Sequence, residues 1–151
     1  MPAIHHTVLA VRDLEQSLRF YRDGIGLEVL QDRIVEGDWP GLFGAPSRAL
    51  HAVFLGDSST PDVYSGVLEL NVFDADLGAA PTEQAHYGLS LISYFVDVEA
   101  TLARLDGLGL GGEPARIEQP TPNGSITIAT VRDPDGVTVL LTPGSITRPT
   151  S

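Results

Sequence analysis

Two side chains that can transfer protons lie inside apolar, strand-like segments of the sequence. His6 lies in the run Ile4–Val11, and Glu69 lies in the run Val67–Phe73. Successive side chains of a strand point to opposite faces, so the leucines that flank Glu69 share one face while Glu69 and Asn71 share the other. A histidine can act as an acid or a base, and a carboxylate becomes an effective base when burial raises its pKa. The sequence therefore indicates His6, Glu69 and Asn71 as candidate site residues, with Glu69 as a possible catalytic base.

The elements that position these residues occur twice along the chain. Asp13-Leu14-Glu15-Gln16-Ser17-Leu18 recurs as Asp97-Val98-Glu99-Ala100-Thr101-Leu102, and Asp23-Gly24-Ile25-Gly26-Leu27 recurs as Asp106-Gly107-Leu108-Gly109-Leu110. Two matches in the same order, at nearly the same spacing, indicate an internal duplication. Module one spans about residues 4–73, a linker spans 74–85, and module two spans about 86–143. We predict a single domain over residues 1–151, a length that suits one compact core.

Each module is predicted to be one βαβββ unit. Asp13 and Asp97 are typical helix N-caps, because a carboxylate there accepts the free N–H groups of the first turn. Apolar residues recur at helical spacing after both caps, and Gly24 and Gly107 are predicted to supply the left-handed stops. The predicted strands are Ile4–Val11, Leu27–Val35, Leu50–Leu55 and Val67–Phe73 in module one, and Leu89–Val96, Gly111–Glu118, Ser125–Arg132 and Val137–Thr142 in module two.

One long loop, from Gly37 to Arg48, is present only in module one. Long loops in compact domains are more often functional than decorative, so this loop is a candidate cover for a cavity. Its Trp39 is a candidate aromatic wall for a bound molecule, as is Tyr94 in module two. Phe43, Tyr64 and Tyr87 are weaker candidates of the same kind.

Composition excludes several classes of function. The formal net charge of −11 disfavours nucleic-acid binding, because an acidic surface repels phosphates. The absence of cysteine excludes disulfides and thiolate zinc sites. No apolar run is long enough to span a membrane, and the N-terminus lacks the pattern of a secretory signal. A cytoplasmic protein that binds a small molecule, and neither nucleic acid nor membrane, is the expectation.

The order of these motifs resembles a known superfamily. His6-Thr7-Val8-Leu9-Ala10-Val11-Arg12-Asp13-Leu14-Glu15, followed by Leu18, Phe20-Tyr21 and Gly26-Leu27, is similar to the opening of glyoxalase, bleomycin-resistance and extradiol-dioxygenase proteins, the vicinal oxygen chelate superfamily. Asp133-Pro134-Asp135-Gly136 is similar to the final hairpin of that family. The resemblance covers roughly residues 4–142. It implies an α+β fold in which two tandem βαβββ modules form a curved mixed β-sheet around a central cavity, and it implies a homodimer.

The resemblance also implies a metal site with four ligand positions, on the first and last strands of each module. In module one these positions hold His6 and Glu69. In module two the first position falls on Ser90, or on Leu91 after a slip of one residue, and the second falls on Leu140. Because a catalytic zinc usually keeps about three protein ligands, we predict no tightly bound metal; if one is present, His6 and Glu69 are its ligands. His51 and His86 are more simply explained as structural residues.

Two functions remain open from the sequence. The first is a metal-free binder of an apolar or aromatic ligand, as in drug sequestration or antibiotic resistance, and its predicted contacts are His6, Glu69, Asn71, Ser90, Leu140, Trp39 and Tyr94. The second is an enzyme: either an isomerase, epimerase or lyase that holds a divalent ion (Zn, Ni, Mn or Fe) on His6 and Glu69, or a metal-free enzyme with Glu69 as general base. Extradiol ring cleavage is disfavoured, because the two-histidine, one-carboxylate iron site that it needs is not evident.

Overall fold

A computed structural model describes residues 4–59, 66–78 and 87–144. Contacts divide the chain into two compact units, residues 1–79 and 80–151. The division falls inside the predicted linker, and the organisation as a single domain stays a prediction. Among the described residues no helix has the length and apolarity that a membrane crossing requires.

The first unit has the predicted βαβββ order with one added helix. Strand β1 (His6–Ala10) leads to helix α1 (Leu14–Leu18), which continues as a π-helical segment (Arg19–Ile25). The remaining elements are β2 (Glu28–Glu36), a short helix α2 (Trp39–Phe43), β3 (Ala49–Gly56) and β4 (Val67–Val72). The sheet order is β1-β4-β3-β2, with β1 parallel to β4 and the other pairs antiparallel.

The second unit repeats this topology. It contains β5 (Ile92–Phe95), α3 (Val98–Gly107), β6 (Gly111–Thr121), β7 (Gly124–Arg132) and β8 (Thr138–Thr142). The sheet order is β5-β8-β7-β6, again with one parallel pair, β5 and β8. The α+β fold class and the duplication are thereby confirmed. In the described part of the chain, eight strands hydrogen-bond as two mixed sheets of four, one in each unit.

Both predicted helix caps are confirmed. The Asp13 carboxylate accepts a hydrogen bond from the Gln16 backbone N–H at 3.1 Å, and the Asp97 carboxylate accepts one from the Ala100 N–H at 3.0 Å. A carboxylate satisfies free N–H groups of the first turn and also interacts favourably with the positive end of the helix. These caps start each helix immediately after the first strand of its unit.

The predicted helix stops are wrong by two residues in both units. Gly24 is buried within the π-helical segment, and the left-handed residue that ends that helix is Gly26, with φ of 99°. Helix α3 includes Gly107, and Gly109 adopts the left-handed conformation with φ of 69°. In the first unit the helix continues because it buries Tyr21 and Ile25 in the core.

Each unit has its own apolar core. In the first unit the most deeply buried side chains come from the first helix and from the two central strands: Phe20, Tyr21, Val53, Leu55 and Leu70. In the second they are Leu102, Leu105, Val131, Val139 and Leu141. On β4 the buried Leu68 and Leu70 share one face, which leaves the opposite face to Glu69 and Asn71.

Candidate functional site

The central strand pair of the first unit brings His6 and Glu69 together. The parallel register pairs Val8 with Glu69 and His6 with Val67, so His6 lies one strand away from Glu69 on the same face. The imidazole Nε2 of His6 lies 3.2 Å from Oε2 of Glu69. Glu69 is only 8% exposed, whereas the His6 side chain retains about a third of its exposure. The pair therefore joins a buried carboxylate to a partly accessible imidazole.

This pair lines a pocket of about 470 Å³ in the first unit. The wall is mainly apolar, as is usual for sites that bind small molecules. Its members come from β1, β2, α2, β3 and β4: His6, Val8, Arg33, Val35, Trp39, Leu42, Phe43, Leu50, Phe54, Glu69 and Asn71. Of the residues predicted from sequence, His6, Glu69, Asn71 and Trp39 are brought together here.

Helix α2 forms one side of this pocket, and it lies in the segment predicted as a loop. Asp38 caps the helix and also forms an ion pair with Arg48 at 3.1 Å. The Trp39 indole N–H donates to the backbone oxygen of Val35 at 3.2 Å, and the rings of Trp39 and Phe43 lie 6.1 Å apart. These contacts hold the aromatic side of the pocket against strand β2.

Three further residues of the pocket shape its chemistry. The Arg33 guanidinium lies over the ring of Phe54, 5.7 Å from its centre, and the His6 ring meets the same ring edge-on at 6.1 Å. Asn71 is 3% exposed, and its Oδ1 atom has no hydrogen-bond partner among the described residues. Sequence reasoning missed Arg33 and Phe54. Phe54 alternates with the buried residues Val53 and Leu55, a signal that could have identified it, whereas the neighbours of Arg33 on β2 are exposed and give no such signal.

Two other histidines of the first unit, His5 and His51, are not in the lining of this pocket. His5 precedes β1, and its ring meets the ring of His6 edge-on with centres 4.8 Å apart. His51 pairs with Asp32 at 2.6 Å, which fits the structural role expected for it. His86 and Tyr64 lie outside the described residues.

The second unit does not repeat the pair of a glutamate and a histidine formed by Glu69 and His6. The backbone N–H of Val11 donates to the backbone oxygen of Asn71 in the first unit, and the backbone N–H of Val96 donates to the backbone oxygen of Thr142 in the second. These equivalent bonds align the two strand pairs. With that alignment, Leu91 corresponds to His6 and Leu140 corresponds to Glu69. Ser90 is exposed and lies two residues before β5; its predicted role in ligand binding stays a prediction.

Leu140 and Tyr94 belong to the second unit and point to opposite faces of its parallel strand pair, so the structure does not bring these two predicted site residues together. Leu140 pairs with Ser93, and Tyr94 pairs with Leu141. Burial raises the pKa of the Tyr94 hydroxyl, and the negative charge of Asp133 raises it further. Tyr94 therefore remains a neutral phenol at physiological pH. Tyr87 is fully exposed.

The donor set tests whether the site suits a metal. In the described part of the chain no group of three or more His, Cys, Asp or Glu residues could hold an ion. Two of the four positions implied by the resemblance carry donors, His6 and Glu69, and the other two carry leucine. Because two protein ligands are fewer than a catalytic zinc usually has, the described residues do not fit a complete catalytic metal centre.

Comparison with known proteins agrees with the fold. The family model of the Glyoxalase/Bleomycin resistance protein/Dioxygenase superfamily matches residues 3–141. The lactoylglutathione lyase-like protein terB of Aspergillus terreus is 41% identical over 148 residues, which is 92% of this chain and 74% of that protein.

Two more relatives extend this comparison. The lactoylglutathione lyase of Haemophilus influenzae is 30% identical over 133 residues, which is 88% of this chain and 86% of that protein. A glyoxalase family protein from Bacillus cereus has the same fold, with a TM-score of 0.67. The two proteins are 22% identical, and the match covers 95% of this chain and 94% of that protein. The chain belongs to the Glyoxalase/Bleomycin resistance protein/Dioxygenase superfamily.

Proposed function

We propose that this protein is a lyase or isomerase that moves a proton on a small carbonyl compound, with Glu69 as the catalytic base. The observation that carries the proposal is the contact between a buried carboxylate and an imidazole, 3.2 Å apart, in the wall of an apolar pocket. A base of this kind needs a polar partner that orients it and an apolar surround that limits water. His6 supplies the first and the aromatic side of the pocket supplies the second.

The proposed chemistry balances without an oxidant or a reductant. With a 2-hydroxy thioester such as lactoylglutathione, Glu69 takes the proton from the carbon that bears the hydroxyl. It then returns that proton to the former thioester carbon, while the hydroxyl proton passes to the former thioester oxygen. The carbon that bore the hydroxyl becomes a ketone, and the thioester carbon becomes a hemithioacetal. Collapse of the hemithioacetal breaks its carbon–sulfur bond and releases a thiol and a dicarbonyl. His6 orients the Glu69 carboxylate, and the Arg33 guanidinium stabilises negative charge that develops on substrate oxygen.

The names of the relatives favour this enzyme over the ligand-sequestering protein that the sequence suggested first. Two relatives that cover most of the chain carry lactoylglutathione lyase in their names. An acidic residue buried beside a histidine is also more than a passive apolar binder needs. Purified protein should interconvert lactoylglutathione and the hemithioacetal of its thiol and dicarbonyl. The assay starts from the less stable hemithioacetal and follows the gain of thioester absorbance. Failure to form this or any of a panel of other 2-hydroxy thioesters would refute the proposal.

The same two residues suggest a second candidate, a divalent metal site. A separation of 3.2 Å between Nε2 and Oε2 suits two ligands of one ion, each about 2.0–2.2 Å from it. Such an ion (Zn, Ni, Mn or Fe) would polarise substrate oxygens. We rank it second because Leu91 and Leu140 replace the other two donors.

Removal of the His6 side chain tests the binding role of the pair. His6→Ala is expected to weaken binding of an inhibitor or product by about 1–3 kcal/mol, the range for losing a buried hydrogen-bond partner. Isothermal titration against wild type measures the change. Because His51 forms a similar contact with Asp32 outside the pocket, His51→Ala is the matched control and should leave affinity unchanged. Equal effects of the two substitutions would contradict a specific role for His6.

We also propose that the chain forms a homodimer. The edge strands β2 and β6 each have one strand neighbour in their own sheet, and an open edge is normally covered or blocked. Most soluble homo-oligomers are twofold dimers. Sedimentation equilibrium at micromolar concentration should return twice the mass of 16.1 kDa. A single monomeric species across the concentration range would refute this.

A further inference from the structure

Asn71 carries a hydrogen-bonding atom that the described protein does not satisfy. The residue is only 3% exposed, and its buried Oδ1 atom has no hydrogen-bond partner among the described residues. Buried polar side-chain atoms usually do have partners, so an exception in a binding pocket calls for an explanation. A bound molecule that donates a hydrogen bond is one such explanation.

The neighbours of Asn71 explain why the protein leaves this atom unpaired. In the sheet register Asn71 lies beside Ala10 of β1 and Ala52 of β3. An alanine side chain has no donor, so neither flanking residue can satisfy the amide oxygen. Two residues earlier on the same face of β4 lies Glu69, so the unpaired amide lies next to the proposed reacting group.

The aromatic residues of the pocket suit a flat probe molecule. Trp39 and Phe43 lie on helix α2, Phe54 lies beside Glu69 on β3, and aromatic rings pack well in stacked or edge-to-face arrangements. A hydroxyl on such a molecule can donate to the amide oxygen. The terminal torsion of an asparagine side chain is soft, so the amide can turn to meet a hydroxyl that enters from the pocket.

We infer that Asn71 is a specificity-determining residue that selects substrates bearing a hydroxyl over isosteric substrates that lack one. This inference rests on the proposed function, since it names the substrate class of the same pocket. The inference concerns recognition and needs no turnover, so it can be tested separately from the proposed function.

The test compares two probes of matched size, p-cresol and p-xylene, which differ by a hydroxyl in place of a methyl group. Trp39 lines the pocket and is the chain's single tryptophan, so its fluorescence reports occupancy directly. The measured quantity is the ratio of the two affinities. Asn71→Leu should lower the preference for p-cresol by roughly threefold to tenfold relative to wild type, the value of one net hydrogen bond. Asn71→Ala provides a second variant in case the leucine disturbs folding.

Ser17 offers a matched control, because its hydroxyl is also buried and unpaired but lies on helix α1 outside the pocket lining. Ser17→Ala should leave the affinity ratio unchanged. The inference is overturned if both Asn71 variants keep the wild-type ratio, if Ser17→Ala shifts it equally, or if neither probe changes Trp39 fluorescence. If Glu69→Gln loses turnover but keeps the wild-type ratio of p-cresol to p-xylene affinity, both proposals are supported. If the preference for p-cresol depends on Asn71 but the wild-type protein shows no turnover, only the proposed function is refuted.

Discussion

Glu69→Gln is expected to lower kcat for lactoylglutathione by about 10²–10⁴-fold, the usual contribution of a positioned acid or base. Glutamine has nearly the same shape as glutamate and can still contact His6, so the pocket should stay intact. What the substitution removes is the ability of the side chain to take a proton. Steady-state kinetics measure the loss, and KM should change much less than kcat, because the missing interaction belongs to the transition state.

The matched control for this experiment is another glutamate of the same unit. Glu36 is exposed at the end of β2 and does not line the pocket, so Glu36→Gln neutralises one charge without touching the site. Its kcat should stay within about twofold of wild type, since substitutions of surface residues away from a functional site usually have small effects. If Glu69→Gln retains activity at the level of Glu36→Gln, Glu69 is not the catalytic base.

Leu70→Ala is expected to destabilise the protein by about 2–5 kcal/mol, the range for truncating a leucine in a packed core. Leu70 is fully buried and lies between Leu9 of β1 and Val53 of β3, which are themselves buried. Removing its side chain leaves a cavity that the central strands cannot fill without moving. Denaturant-induced unfolding of the purified variant measures the change.

An exposed residue of the same sheet separates this effect from a general effect of truncation. Ile34 of β2 is 73% exposed, so Ile34→Ala should change the free energy of unfolding by no more than about 0.5 kcal/mol. Neighbouring positions on β4 thus serve different purposes, with Leu70 holding the core and Glu69 serving the site. A loss below about 1 kcal/mol for Leu70→Ala would contradict the packing described.

The repeated fold could be predicted from sequence because its signals are local. Asp13 and Asp97 each mark a helix start by their side-chain chemistry, and both caps form as predicted. Strand alternation around Glu69 also needed only a few neighbouring residues, and it placed Glu69 and Asn71 on one face. Each of these inferences depends on contacts within one turn of helix or one strand.

The parts that were missed depend on contacts between distant segments. The shift of the first helix end to Gly26 accompanies a π-helical segment that buries Ile25, which no local pattern indicated. The second helix continues through Gly107, and Gly109 is the left-handed glycine that follows it. Arg33 and Phe54 line the pocket because of the register of β2 against β3, which sequence alone does not define. The residue equivalent to His6 is Leu91, because module one has one extra residue, Arg12, between its first strand and its cap.

The most direct test of the central claim is turnover of lactoylglutathione by protein that has been treated with a chelator and checked by elemental analysis in the same sample. If Glu69 is a base that needs no ion, turnover persists with far less than one metal per chain, and it is lost in Glu69→Gln. If turnover disappears on chelation and returns with one equivalent of zinc, nickel, manganese or iron in wild type but not in His6→Ala, then His6 and Glu69 are metal ligands and the proposed role of Glu69 is wrong.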